Sequence, residues 1–264
     1  MTNKNARDRK KYASSMVKSA WDKAFFMDKI GDASAVIDFG CADGAMIRFL
    51  APLFPYIEFY GYDIDDGMIK LARERNECPN NVTFYGEMEL NKLITDVEKK
   101  GHKEVCLNLA SVLHEVYSFP ENHGIDSIRK VVESVPVKYI TIRDMYFHTD
   151  SSWGDPLKKA VAQCDKEYID SFSELYGNPA TPKRALHFLM KYQWRDNGWE
   201  EELLEDYFSW NLSYLLNDLG FPFETIYETH YLLPHLCYKW WKEYGVFIPN
   251  YHTHAQFILR RCDH

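Results

Sequence analysis

The sequence predicts a doubly wound α/β fold built on a seven-stranded, mostly parallel sheet. Three observations carry that expectation. Between residues 34 and 150, short apolar runs alternate with helical stretches, the pattern of βαβ units with helices on both faces of a sheet. The first apolar run ends in a glycine-bearing turn that opens directly into a helix. Two more strand-like stretches close the chain, after a long helical segment that interrupts the alternation.

The elements follow in order. From Tyr12 to Ile30 apolar residues fall at helical spacing, behind a basic start read as a solvated tail. The first strand is Ala35–Asp38, ended by Gly40-Cys41-Ala42-Asp43-Gly44, with a helix from Ala45 to Leu50. A second strand, Ile57–Tyr62, ends at Asp63, and Asp65 caps the helix after it. Strands at Val82–Tyr85, Val105–Leu109 and Lys138–Arg143 come next, with helices to about Lys100 and near 123–134 between them. Helices are expected at 156–176, 182–195 and 200–219, then strands at 223–232 and 255–261 around a helical stretch, Leu236–Tyr244. The expected organisation is one domain, 1–264: a helical segment over 1–33, a ligand-binding core over 34–150, a helical cap over 151–219 and completing strands over 220–264.

Composition narrows the class. Hydrophobic residues at 46% and charged residues at 27% describe an ordinary globular chain. A net charge of −8 argues against a dedicated nucleic-acid coat. No apolar run approaches the ~20 residues of a membrane span, and the basic start lacks the apolar core of a secretory signal. The six cysteines are scattered without zinc-clip spacing. The expectation is a cytoplasmic protein that needs no metal.

The first turn and the end of the second strand carry the chemistry. Asp63 lies 25 residues past Asp38, at the strand end where a carboxylate accepts both ribose hydroxyls of an adenosine. That alone also fits a nicotinamide oxidoreductase. Two details oppose it. The dinucleotide pattern Gly-x-Gly-x-x-Gly is not met, because Ala42 and Ala45 stand where its later glycines would. Asp38 would repel a pyrophosphate but suits a ligand bearing an ammonium and a sulfonium.

Here the chain resembles a known family. Val36-Ile37-Asp38-Phe39-Gly40-Cys41-Ala42-Asp43-Gly44 is similar to the first motif of class I S-adenosylmethionine-dependent methyltransferases. Tyr62-Asp63-Ile64-Asp65-Asp66-Gly67-Met68-Ile69-Lys70-Leu71-Ala72 resembles their second motif, Leu109–Val116 the segment after strand four, and Ile140–Met145 strand five. The resemblance implies that Asp38, Gly40 and the Cys41–Ala42 backbone hold the methionine end. It implies that Asp63 binds the ribose, Ile64 and Met68 flank the adenine, and Glu87 and Met88 meet its edge. Asn108 and Ala110 would offer backbone to the methionine moiety. Ala42 replaces the family's middle glycine, which is tolerable where φ stays negative.

His114 and Glu115 follow strand four, where the acceptor site of such a fold opens, and are the candidate general base and its partner. Arg143 and Asp144 read as an ion pair, His252 and His254 as surface histidines, and the six acids of 196–206 as a solvated helix face. The Tyr238–Lys242 stretch reads as a helix packing its tryptophans and extending its lysines. Aromatics number 23 in the 114 residues from 151 onward, which reads first as a helical core and second as a pocket wall that would include Trp153, Tyr168, Tyr192 and Trp194. No Asn/Asp-Pro-Pro-Tyr motif or strand-four cysteine pair points to nucleobase methylation.

The expected activity is in-line methyl transfer from S-adenosylmethionine, releasing S-adenosylhomocysteine, to an unidentified acceptor, a small molecule in preference to RNA. An RNA or nucleotide methyltransferase, an idle cofactor-binding subunit and a nicotinamide oxidoreductase are the alternatives. Neither the oligomeric state nor a protein partner is legible, and no membrane association is expected.

Overall fold

The computed structural model describes residues 20–75, 78–149, 155–248 and 250–262. Residues 12–19, much of the expected N-terminal helix, and Trp153 lie outside the described residues. Among the described ones, helix survives only as α1 (Ala20–Lys23), and the chain then passes through turns to Ile30.

A sheet of seven strands runs in the order β3-β2-β1-β4-β5-β7-β6. Its members are β1 (Ala35–Phe39), β2 (Glu58–Tyr62), β3 (Val82–Tyr85), β4 (Val105–Ala110), β5 (Val137–Thr149), β6 (Phe223–Tyr231) and β7 (Tyr251–Arg261). β1 pairs in parallel with β2 and β4, β2 with β3, and β4 with β5. β1 and β4 are buried along their whole length, which is why their sequences are apolar on both faces, with Asp38 and Asn108 the polar exceptions. The helices between them are α2 (Ala45–Leu50), α3 (Asp66–Glu74), α4 (Leu90–Lys100), α5 (Leu113–Ser118) and α6 (Gly124–Ser134). Asp65 caps α3 as expected, its carboxylate accepting the Gly67 and Met68 N–H groups at 2.8 and 3.3 Å.

The chain divides into two compact units, at boundaries other than those expected. The first holds the chain to Asp144 together with Leu212–Glu228 and the segment from Gln256. The second holds Met145–Asn211 and Thr229–Ala255. The core of the first unit joins Phe26, Ile30, Val36, Ile47, Phe59 and Ile258. No helix of the described residues is long and apolar enough to cross a membrane.

The second unit carries α7 (Asp155–Val161), α8 (Lys166–Tyr176), α9 (Pro182–Tyr192), α10 (Trp199–Leu204) and α12 (Pro234–Tyr244), whereas α11 (Leu212–Leu219) belongs to the first. Two helices expected whole are each broken. α7 closes in tight turns, Gln163 and Cys164 N–H donating to Ala160 and Val161. Between α10 and α11, the Asp206 carboxylate accepts the Phe208 N–H at 2.9 Å, a local turn that competes with helix. Aromatics fill this unit's interior: Phe172, Phe188, Tyr192, Tyr207, Phe208 and Trp240 are buried in one cluster. Trp240 packs as expected, but Trp241 is 56% exposed.

Three further expectations are corrected. The acid run is not a solvated face, because Glu202 and Glu205 are buried. Their backbone carbonyls accept from the buried Lys191 ammonium, which sits 3.7 Å over the Tyr207 ring while Tyr207 donates to the Glu202 carboxylate. Nor do His252 and His254 sit on the surface: His254 is buried beside Thr253, and His252 stacks on His148, which stacks on His230. Arg143 and Asp144 each have a partner of their own, since neighbours on a strand face opposite ways.

Candidate functional site

The site lies in the first unit, where β1, β2 and β4 end beside the middle of β5. The chain leaves β1 in a loop held by β2: the Gly40 and Cys41 N–H groups donate to the Tyr62 carbonyl at 2.8 and 3.0 Å. Gly44 has φ 70°, and a Cβ there would stand 2.3 Å from the Phe84 ring, so the position admits glycine alone. Ala42 is the departure from expectation. Its φ is 49°, left-handed and not negative. The strain is held by a hydrogen bond from its N–H to Asp63 Oδ2 at 2.7 Å. Ala42→Gly should therefore raise stability by about 1 kcal/mol, or about 2–4 °C in Tm, as followed by calorimetric melting. A lower Tm would show that the methyl group contributes packing that outweighs the strain.

Two carboxylates converge on this loop. Asp38, 3% exposed, accepts from Asn108 Nδ2 at 2.7 Å. Asn108 Oδ1 in turn accepts from the Thr141 hydroxyl at 2.9 Å. These three residues stand side by side across β1, β4 and β5, so the sheet register itself builds the relay. Burial pushes the Asp38 carboxyl up to about 6, against the pull of Asn108 and Lys23. Asp63 is pushed to about 6 by burial as well, against the donors of Asp65 and Ala42 and with Glu115 adding to the rise.

The remaining cofactor candidates distribute as follows. Cys41 and Ala110 line a small cavity with Lys23, Asp38, Gly40, Asp43, Ala45 and Met46. Ile64 is half exposed and Met88, in a single 3-10 turn with Glu87, is 88% exposed, whereas Met68 is buried under α3. The Asn108 side chain, not only its backbone, is turned to the site. Burial pushes the Cys41 and Cys106 thiols up, so neither is a thiolate at neutral pH.

At the start of α5, His114 is 4% exposed and its Nδ1 lies 2.7 Å from Asp144 Oδ1. Asp144 is fully buried, and its Oδ2 accepts the N–H groups of Leu113 and His114 at 2.7 and 3.3 Å. With two backbone N–H groups already donating to Asp144, the bond between the two side chains is donated from His114 Nδ1. Glu115 brings a carboxylate oxygen within 4.8 Å of a His114 ring nitrogen. His114 and Glu115 thus stand together at the start of α5, and the carboxylate hydrogen-bonded to the His114 ring is that of Asp144.

Sequence reasoning missed Lys23. It lies within the helix expected over Tyr12–Ile30 and was given no role there, yet it is 5% exposed and lines the cavity beside Asp38. Apolar positions at helical spacing around it were the available signal.

Residues 36–121 match a family model described as a methyltransferase domain. Among solved structures, the chain resembles an O-methyltransferase family protein from Burkholderia thailandensis at 13% identity and a TM-score of 0.50, covering 98% of this chain and 61% of that one. It resembles TnmH at 12% identity and a TM-score of 0.51, covering 95% of this chain and 57% of that one. The chain therefore spans about three fifths of the length of these structures, and the likeness is one of fold. A search of curated protein sequences returns no match.

Proposed function

We propose that the chain, whose residues 36–121 match a methyltransferase-domain model, is an S-adenosylmethionine-dependent methyltransferase and that it methylates a small molecule at a hydroxyl or amine whose proton His114 removes. The observation that carries this reading is the buried His114–Asp144 pair at 2.7 Å. In an idle cofactor-binding subunit this pair would have no proton to move. The net charge of −8 disfavours RNA.

In this reading Asp38 faces the ammonium of the cofactor's methionine end, Asp63 accepts its ribose hydroxyls, and Ile64 and Met88 cover the adenine. The Gly40–Ala42 loop approaches the methionine chain closely because two of its backbone conformations are left-handed. The cofactor supplies an electrophilic methyl on a good leaving group. The chain's own work is to align the acceptor and take its proton at His114 Nε2.

The test is titration calorimetry with S-adenosylhomocysteine, followed by a screen of small hydroxyl and amine acceptors with tritiated methyl donor. Micromolar binding, roughly −8 kcal/mol, is expected. Heat from NAD with none from S-adenosylhomocysteine would sink the reading. The carboxylates give the binding a pH signature. The ligand favours ionised Asp38 and Asp63, each raised to about 6, so affinity should fall about tenfold per pH unit below 6 for each group that must ionise. For the unoccupied fold the sign reverses. Carboxyls raised from 3.8 to about 6 favour the protonated folded state, so stability from this source declines as pH rises through that window. A flat affinity profile between pH 5 and 7 would remove both residues from the ligand.

A further inference from the structure

We propose that Arg143 is a positioning residue for His114: its guanidinium holds Ser111 in the left-handed turn from which α5 starts. This rests on His114 being the base of the reading above, and it assigns residues that reading does not use.

β4 ends at Ala110, which pairs with Arg143 in the middle of β5. The chain must then leave the sheet and enter α5 through Ser111 and Val112 alone. Ser111 makes this turn at φ 58°. For an L-residue that conformation crowds Cβ against the following carbonyl, and it persists only where the surrounding structure imposes it. Two bonds from one residue do so here. The Ser111 N–H donates to the Arg143 carbonyl at 2.7 Å, and Arg143 Nη1 donates to Ser111 Oγ at 3.0 Å. Backbone and side chain of the serine are thus tied to the same residue of β5.

What the turn delivers is the first turn of α5. Val112 packs so close to the first loop that a Cβ on Gly40 would stand 2.7 Å from Val112 Cγ2. Val112 offers no side-chain cap, and the Leu113 and His114 N–H groups are capped instead by Asp144 Oδ2 at 2.7 and 3.3 Å. Both bonds form together only if the helix starts in one place. Arg143 and Asp144 therefore act on α5 from the two faces of one strand. Arg143 sets the turn before the helix, and Asp144 receives the helix end and the His114 ring. The guanidinium is itself braced. Its Nε and Nη2 both reach Asp22 Oδ2 at 2.6 Å, and Gln256 Nε2 donates to Asp22 O and Oδ1 at 3.0 and 3.1 Å. A planar fork serves two partners on different edges at once, which a lysine ammonium would not do in a fixed geometry.

Ser111→Ala and Ser111→Gly, made in the full chain, separate this role from one in which the hydroxyl itself meets a ligand. Both lose the hydroxyl. Alanine must hold the left-handed turn without the guanidinium, whereas glycine holds it at no steric cost. Amide 1H–15N spectra give a readout that needs no substrate. The Leu113 and His114 resonances, which report the bonds to Asp144, should move in Ser111→Ala and stay near their wild-type positions in Ser111→Gly. Arg143→Met should move them as well, and by less in a Ser111→Gly background. Asp22→Asn, which alters the α1 side of the guanidinium and not its Ser111 side, should leave them in place. Single-turnover rates with an acceptor from the tritium screen should be about tenfold lower in Ser111→Ala than in Ser111→Gly, as the fraction of chains with α5 in place falls, while S-adenosylhomocysteine affinity is equal in the two. Equal spectra for the two serine variants would overturn the proposal whatever the rates. So would an Asp22→Asn spectrum that matches that of Arg143→Met, which would leave Arg143 an anchor for α1 alone. Should Arg143→Met not fold, the serine pair decides by itself. If the amides move as expected and the rates do not follow, Arg143 still places His114, and it is the base reading beneath it that fails.

Discussion

His114→Ala should lower turnover by about a hundredfold or more while S-adenosylhomocysteine affinity stays nearly unchanged, the signature of a general base that does not touch the cofactor. Asp144→Asn should cost a similar factor with His114 still in place. The reason is geometric. Asp144 Oδ2 accepts two backbone N–H groups, from Leu113 and His114, at 2.7 and 3.3 Å. An asparagine must keep its oxygen there, because its NH2 group would face two donors. The NH2 then faces His114 Nδ1, which must become the acceptor, and the ring proton moves to Nε2. The base is present but protonated on the wrong nitrogen. Ring 15N chemical shifts report the tautomer, and single-turnover rates with an acceptor from the tritium screen report the loss. Glu115→Gln separates the neighbours: with His114 as base, the rate should stay within about tenfold of wild type. Wild-type turnover in His114→Ala would show that the acceptor loses its proton without help and that the pair only ties α5 to β5.

What was legible in the sequence is what short-range chemistry determines. β1, the glycine turn and Asp63 form one local unit, since the Tyr62 carbonyl receives the turn's N–H groups and the next residue's carboxylate receives another. A reader of the chain can place Asp38 and Asp63 because a strand, a turn and a spacing define them. Lys23 and Asp144 are different in kind. Lys23 reaches the site through bonds from Asp22 to residues 121 and 234 positions away. No local pattern encodes such a contact. Asp144 was read as the partner of its neighbour Arg143, although strand alternation alone sends the two to opposite faces. The Ala42 conformation was hidden for another reason. Alanine says nothing of φ, and the left-handed turn follows only from the Asp63 hydrogen bond that holds it. In the second unit, Glu202 and Glu205 looked solvated because their counterpart, Lys191, arrives from α9 across a turn.

Asp63→Ala should weaken S-adenosylhomocysteine binding about tenfold to a hundredfold and also lower Tm. Both effects come from one carboxylate with two duties. Its Oδ2 accepts from Ala42 at 2.7 Å and its Oδ1 from Asp65 at 2.8 Å, so it bridges the first loop to the start of α3. The lone pairs left over are what two ribose hydroxyls can reach. Hydrogen bonds to a charged group contribute about 1.5–3 kcal/mol, which gives the expected range of affinity. Truncation also leaves two N–H donors without their acceptor, at about 1–3 kcal/mol for each that stays buried, and it releases Ala42 from φ 49°. The two duties can be told apart. If Asp63 only pins the loop, then Ala42→Gly, which holds that conformation without strain, should restore most of the affinity in an Asp63→Ala background. If Asp63 binds the ribose, the double variant should regain stability and not affinity. Calorimetric binding and melting of wild type, both single variants and the double variant decide between them. Unchanged affinity in Asp63→Ala would place the ribose elsewhere and leave this carboxylate a pin between β2 and the first loop.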